Sequence, residues 1–138
     1  MTPEIVAAPG NAEREAILAA LVAYNDSRVP PGERHPVAIV LRDDAGAVIG
    51  GLWGAAGYGW LFVQYLVVPQ AARGQGQGRA LMLAAEAEAR RLGCTGMWLD
   101  TFSFQARGFY EKLGYGVFGA IADYPPGEAR YFLSKRLD

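Results

Sequence analysis

The stretch that decides the fold is Val68-Pro69-Gln70-Ala71-Ala72-Arg73-Gly74-Gln75-Gly76-Gln77-Gly78-Arg79-Ala80-Leu81. It follows a run of aromatic and branched aliphatic residues, 60–68, and precedes a segment with apolar residues at helical spacing, so it is predicted to connect a strand to a helix. Gly74, Gly76 and Gly78 alternate along it and let the backbone approach a ligand closely. Free N–H groups and the helix dipole at such a turn favour an anion, and pyrophosphate fits.

Known nucleotide motifs differ in the spacing of their glycines. A dinucleotide-binding turn would need a glycine where the chain has Arg79, and a Walker-type loop would need Gly-Lys-Ser/Thr, which is absent. What remains is Arg/Gln-x-x-Gly-x-Gly/Ala, matched by Arg73, Gly76 and Gly78. This pattern resembles the pyrophosphate-binding motif of the GNAT family of N-acetyltransferases. The segment 106–115, a short helix that bears Phe-Tyr and ends in Gly-aromatic, is similar to a later motif of that family.

The order of the other elements is predicted from hydrophobic periodicity and turn residues. They are a strand at 4–8, a helix at 12–25 with Asn11 as N-cap, a hairpin at 37–42 and 47–53, a central strand at 60–68 buried on both faces, a helix from the glycine turn to Gly93, a strand at 97–102, a short helix capped by Ser103, and strands at 115–121 and 130–136. Strand, helix and strand in succession imply a parallel pair with a right-handed crossover.

These elements predict an α/β fold, organised as one domain over residues 1–138. The sheet is expected to be mixed, antiparallel at both ends and parallel in the middle. The resemblance implies a GNAT-like fold, with about six or seven strands flanked by about four helices. On the helix after the turn, Glu86 and Arg90 are predicted to form an exposed i,i+4 pair.

Composition excludes several classes of protein. The 138 residues carry a net charge of −1, which disfavours nucleic acid as a partner. The single cysteine, Cys94, suits a reducing compartment. No signal peptide is visible in residues 1–10 and no apolar run is long enough to span a bilayer, so we expect a cytoplasmic protein with no membrane association.

The resemblance implies that acetyl-coenzyme A is the cosubstrate and that its acetyl group passes to a primary amine by direct attack in a ternary complex. It implies cofactor-binding roles for the end of the central strand and for the turn: Leu66, Val67, Val68, Arg73, Gly74, Gln75, Gly76, Gln77, Gly78 and Arg79. The N–H of Val67 is a candidate for polarising the thioester carbonyl. Tyr110 looks like the family tyrosine that gives a proton to the leaving thiolate, the alternative being an interior aromatic residue.

The sequence does not identify the general base. Asp100 lies at the end of the fifth strand and is either that carboxylate or a cap of the next helix, and the cap is favoured. Gln64 and Tyr65 alternate along the central strand, so only one of them is expected to face the cleft. Tyr124 lies in a Pro-rich loop that could close the acceptor site.

Other polar residues are interpreted as structural. His35 is placed in a loop, Cys94 is a partly buried small residue, and no Cys, His and carboxylate cluster has the spacing of a metal site. A non-catalytic acyl-coenzyme A sensor or partner-binding module is the alternative function. The acceptor amine is expected to belong to a small molecule or to a peptide, and the sequence does not choose between them. A homodimer is possible through the apolar last strand, 131–133, if that strand lies at an edge.

Overall fold

The computed structural model describes all residues, Met1–Asp138, and it confirms the α/β class. Its elements are α1 (Asn11–Asp26), β1 (His35–Arg42), β2 (Val48–Gly57), β3 (Trp60–Val67), a 3₁₀ turn (Gln70–Ala72), α2 (Gln77–Arg91), β4 (Gly96–Phe102), α3 (Arg107–Lys112), β5 (Gly116–Ala122) and β6 (Ala129–Arg136). There are six strands and three α-helices, one helix fewer than expected. The chain divides into two compact units, Met1–Gly32 and Glu33–Asp138, and the single domain stays a prediction.

The first unit contains α1, which confirms the predicted helix. Gly10 rather than Asn11 precedes the first helical residue, and its N–H donates to Glu13 Oε2 at 3.2 Å. The strand predicted at 4–8 is wrong, because this segment makes no strand pairing. Pro3 and Pro9 flank it and lack the N–H that a ladder requires, which shortens the stretch able to pair.

The second unit contains one six-stranded sheet in the order β1-β2-β3-β4-β6-β5. Only β3 and β4 run parallel, joined by α2, and the other neighbours are antiparallel. The predicted mixed sheet is therefore confirmed. The last strand, β6, lies between β4 and β5, so it is not an edge strand. The suggested homodimer through residues 131–133 required an edge strand, so that requirement is not met.

Two glycines allow β2 to pack between its neighbours. A Cβ atom on Gly51 would collide with the carbonyl oxygen of Ile39 on β1, and one on Gly54 would collide with that of Phe62 on β3. Gly51 also has a φ of +139°, in a region that side-chain-bearing residues rarely adopt. The glycine-rich composition of this strand therefore has a steric cause.

The core forms where α2 packs across β1 to β4. Its largest fully buried side chains are Leu61, Met82, Met97, Leu99 and Leu133. Each such side chain stabilises the fold by roughly 1.5–3 kcal/mol through removal of apolar surface from water. The buried positions of α2 repeat at helical spacing, as the sequence predicted.

A buried ion pair joins α2 to β6. Glu86 is 3% exposed, and Lys135 Nζ lies 3.0 Å from its Oε1. Tyr115 donates its O–H to Glu86 Oε2 at 3.1 Å, and Lys135 also donates to the Leu113 carbonyl at 2.9 Å. Burial, followed by the charge of Glu86, raises the pKa of Tyr115 above its usual range. The predicted exposed pair of Glu86 with Arg90 is therefore wrong.

We expect Lys135→Met to lower the free energy of unfolding by roughly 2–3 kcal/mol, because the buried Glu86 carboxylate loses its cation. The measurement is equilibrium unfolding in urea. The control is Arg136→Met on the neighbouring, exposed position, which should change stability by less than about 1 kcal/mol. Equal losses in the two variants would contradict a specific role for the Lys135 pair.

Candidate active site

A cleft opens where two central strands separate. β3 and β4 pair from Trp60–Gly96 to Val63–Leu99 and no further. Beyond that point Tyr65 and Val67 are 63% and 53% exposed, so the prediction of a strand buried on both faces fails for residues 64–67. The cleft has a volume of ≈ 920 Å³ and is lined by Phe62, Gln64, Tyr65, Leu66, Val67, Asp100, Thr101, Phe102, Gln105, Ala106, Phe109, Tyr110 and Arg130.

A β-bulge shapes one wall of the cleft. The β2–β3 register shifts between Trp53, which faces Tyr65, and Gly54, which faces Val63, so Gln64 is an extra residue. Because a bulge breaks strict alternation, Gln64 and Tyr65 both line the cleft, contrary to the prediction that only one would. Gln64 Nε2 donates to the Tyr65 hydroxyl at 3.2 Å.

The glycine turn presents unpaired N–H groups. Gly74 and Gly76 have φ values of +78° and +76°, and a Cβ atom on either would meet nothing within 4 Å. Gly76 precedes α2, whose first backbone bond runs from Ala80 N–H to the Gly76 carbonyl at 3.0 Å. The backbone N–H groups of residues 74–79 have no protein acceptor. This open space in front of a helix N-terminus suits an anion.

Contacts connect the turn to the cleft. Arg73 Nε donates to the Val68 carbonyl at 3.0 Å, which ties the turn to the chain just after β3. A Cβ atom on Gly78 would lie 3.1 Å from Phe109 Cζ, so the start of α2 sits against a residue that lines the cleft. The structure places Leu66 and Val67 in the cleft wall, Val68 beside Gly78, and the predicted residues from Gly74 to Arg79 at the start of α2.

Tyr110 lines the cleft from α3 and is 7% exposed. Its ring contacts Phe109 and Tyr115 edge to face, with centroids 5.0 and 6.4 Å away. Burial raises the pKa of the Tyr110 hydroxyl, and the negative charge of Asp100 raises it further. The phenol therefore keeps its proton at neutral pH.

The predicted caps of α3 are wrong. The helix begins after Ala106, whose N–H donates weakly to Thr101 Oγ1 at 3.4 Å, and neither Ser103 nor Asp100 caps it. Gln105 Oε1 accepts the Phe102 N–H at 2.8 Å within the preceding turn. Ser103 Oγ instead accepts the Ala129 N–H at 2.9 Å, which ties this turn to β6.

Asp100 lies in the cleft as half of an ion pair. Arg130 Nη2 is 2.8 Å from Asp100 Oδ1, and Arg130 Nη1 donates to the Tyr124 hydroxyl at 3.0 Å. Arg130 is a cleft residue that the sequence analysis did not identify. The β4–β6 register, which sets Arg130 opposite Phe102, creates the pair, and no local signal in the sequence marks it.

Residues interpreted as structural stay outside the cleft. His35 begins β1 rather than lying in a loop, and its Nε2 is 3.5 Å from Glu33. Cys94 is 8% exposed, and burial raises the pKa of its thiol. No group of three His, Cys, Asp or Glu side chains comes close enough together to hold a metal ion.

Comparison with known proteins identifies the family. The model of the Acetyltransferase (GNAT) family matches residues 9–115. The chain belongs to the GNAT family. It is 41% identical over 128 residues to an acetyltransferase of Agrobacterium fabrum, covering 92% of this chain and 93% of that one. It is 40% identical over 131 residues to the blasticidin-S acetyltransferase of Streptomyces morookaense, with the same coverage.

A solved structure extends the likeness to three dimensions. The crystal structure of an Agrobacterium tumefaciens protein assigned as an acetyltransferase superposes with a TM-score of 0.93 at 37% identity, covering 99% of both chains. The chain is therefore an N-acetyltransferase of a family that uses acetyl-coenzyme A, as its motifs predicted. None of its helices has both the length and the apolar character needed to cross a membrane.

We expect the thiol of Cys94 to react with a disulfide reagent at pH 7 at least about 10-fold more slowly in the folded protein than in urea. Its raised pKa lowers the thiolate fraction and its burial limits access. The measurement is the absorbance of released thionitrobenzoate with time. Equally fast reaction in both states would contradict the structural role assigned to this residue.

Proposed function

We propose that this enzyme transfers the acetyl group of acetyl-coenzyme A to a primary amine of a small molecule by direct attack in a ternary complex. The observation that carries the proposal is the position of the glycine turn beside the cleft. Its unpaired N–H groups precede Gly78, which lies against Phe109, and the cleft that Phe109 lines also contains the open edge of β3 and the buried Tyr110. A small-molecule acceptor is supported by the relative that is named a blasticidin-S acetyltransferase.

The turn would hold the pyrophosphate of the coenzyme. Residues 74–79 offer several N–H groups without protein acceptors, and Gly74 and Gly76 leave space for a ligand to approach the backbone. The dipole of the 15-residue helix α2 adds favourable charge at this end. Arg73 supports the turn through its bond to Val68, and Arg79 is exposed beside it.

The free edge of β3 would bind the pantetheine arm. Backbone groups of Leu66 and Val67 that face β4 lack a strand partner there, because β3–β4 pairing ends at Val63. Such groups can bond an extended ligand as a strand would. We assign the N–H of Val67 to the thioester carbonyl, where a fixed donor stabilises developing negative charge.

Tyr110 would protonate the leaving sulfur. Acetyl-coenzyme A supplies an acetyl thioester, whose carbonyl carbon gains a bond to the amine nitrogen while its bond to sulfur breaks. Tyr110 holds the proton that the sulfur requires, and its environment keeps that proton in place at neutral pH. The acceptor loses an N–H proton to solvent as the amide forms, and solvent restores the proton of Tyr110.

A non-catalytic acyl-coenzyme A sensor is the alternative function. Relatives that are named acetyltransferases and cover over nine-tenths of the chain do not favour it. The buried, protonated Tyr110 in the cleft also supports catalysis, because binding alone does not need an acid at that position.

To test the coenzyme site, we expect Gly76→Asp to weaken acetyl-coenzyme A binding by about 10-fold or more relative to Gly76→Asn. Both residues tolerate the left-handed conformation that Gly76 adopts, and they have the same shape. Only aspartate places a negative charge where the pyrophosphate is proposed to bind. The measurement is calorimetric titration. Equal affinities of the two folded variants for acetyl-coenzyme A would contradict a pyrophosphate site at this turn.

To test the acid, we expect Tyr110→Phe to lower kcat by roughly 100-fold, because phenylalanine fills the same space without a proton to give. Affinity for acetyl-coenzyme A should change by less than about threefold. The control is Tyr58→Phe at an exposed position outside the cleft. A kcat within about twofold of wild type for Tyr110→Phe would rule out the proposed proton transfer.

A further inference from the structure

The ion pair in the cleft leaves one carboxylate oxygen free. Arg130 Nε donates to Asp100 Oδ1 at 2.9 Å, and Nη2 lies 2.8 Å from that same oxygen. No hydrogen bond reaches Asp100 Oδ2. Every buried side-chain oxygen and nitrogen in the protein has a partner, so Oδ2 is accessible to solvent. A free hydrogen-bond acceptor with negative charge therefore lines the cleft.

Arg130, the cation of this ion pair, also has N–H groups without a protein acceptor. Asp100 engages Nε and Nη2 of Arg130, and Tyr124 engages Nη1. A guanidinium carries five N–H bonds, so one on each terminal nitrogen has no protein acceptor. The Tyr124 hydroxyl accepts from Arg130, and its own O–H has no acceptor either. Positively charged donors thus lie beside the free carboxylate oxygen.

The guanidinium of Arg130 is held in place. It lies over three aromatic rings, with centroids at 5.3 Å for Phe102, 5.2 Å for Tyr124 and 5.4 Å for Phe132. Its side chain is 26% exposed and that of Asp100 is 15% exposed. An arginine fixed by stacking and two hydrogen-bond partners loses little conformational entropy when it binds a further anion.

We propose that Asp100, Arg130 and Tyr124 form the acceptor subsite and select a small zwitterionic amine. Its ammonium binds Asp100 Oδ2 and gives up one proton to solvent before the neutral amine attacks, and its carboxylate binds Arg130 and the Tyr124 hydroxyl. This inference rests on the proposed function, since it names the substrate class of the same site. A carboxylate that bridges guanidinium and hydroxyl donors forms charge-assisted hydrogen bonds, the stronger kind.

Two further observations agree with an acceptor bound here. Asp100 and Tyr110 line the same cleft, and the charge of Asp100 contributes to the raised pKa of Tyr110, so an amine bound to Asp100 lies in the same cleft as the proposed acid. The pair is neutral as a whole, so an amine with only positive charge would gain from Asp100 and be repelled by Arg130. A zwitterion is attracted by both Asp100 and Arg130.

The test compares matched acceptors that differ only in the carboxylate. Glycine, 3-aminopropanoate and 4-aminobutanoate are each assayed against the corresponding carboxamide, with acetyl-coenzyme A in excess and thiol release as the readout. Wild type should prefer at least one carboxylate to its carboxamide in kcat/KM. In Arg130→Gln the ratio of kcat/KM for carboxylate over carboxamide should fall by about 10- to 100-fold, the effect of losing a hydrogen bond to a charged group.

Other variants separate this role from a structural one. Arg136→Gln removes the same charge from an exposed position on the same strand and should leave the ratio unchanged. Tyr124→Phe removes one hydroxyl and should lower the ratio by a few fold. Asp100→Asn should reduce kcat/KM for all acceptors by about 10-fold or more, while calorimetry shows unchanged acetyl-coenzyme A affinity.

The outcomes distinguish this inference from the proposed function. If Arg130→Gln and Tyr124→Phe leave the ratio of kcat/KM for carboxylate over carboxamide unchanged, the zwitterion subsite is overturned. The proposal of amine acetylation would then still stand. Transfer by wild type only to amines without a carboxylate would also overturn it. No transfer to any amine by a wild type that binds acetyl-coenzyme A would overturn both.

Discussion

The separation of β3 from β4 after Val63–Leu99 is the constraint on which the site depends. A parallel pair that continued to the ends of both strands would bury residues 64–67 and pair all their backbone groups. Because the strands part, backbone and side chains on both walls become available to ligands. The bulge at Gln64 and the glycines of β2 help β3 follow its neighbour β2 while it leaves β4.

The segment that carries Tyr110 is anchored in the core. Glu86 on α2 is joined to Lys135 on β6 and to Tyr115 just after α3, so one buried carboxylate connects three parts of the second unit. Tyr115 also packs edge to face on Tyr110, and its N–H donates to the Tyr110 carbonyl at 3.1 Å. The backbone that carries the proposed acid is therefore fixed by the core rather than by the cleft.

Structural features that depend on neighbouring residues were predicted correctly. The glycine turn, α2 with its buried face and the β1–β2 hairpin all follow from residues within a few positions of each other. The errors share a cause. The segment 4–8 has strand-like residues but pairs with no other strand. Glu86 has Arg90 four residues further along the helix but forms its ion pair with Lys135. Gln64 interrupts the alternation of side chains along β3 because the pairing of β3 with β2 shifts there. Each depends on a partner that the local pattern does not contain.

By itself, the sequence determined the α/β class, the order of the central elements and the family. These properties follow from turn chemistry, periodicity and spacing, which are local. Tertiary structure alone decided that Asp100 meets Arg130 rather than capping α3, because their hydrogen bond joins residues 30 positions apart through the β4–β6 register. The proposed acceptor site therefore depends on strand pairing, whereas the proposed pyrophosphate site lies within consecutive residues.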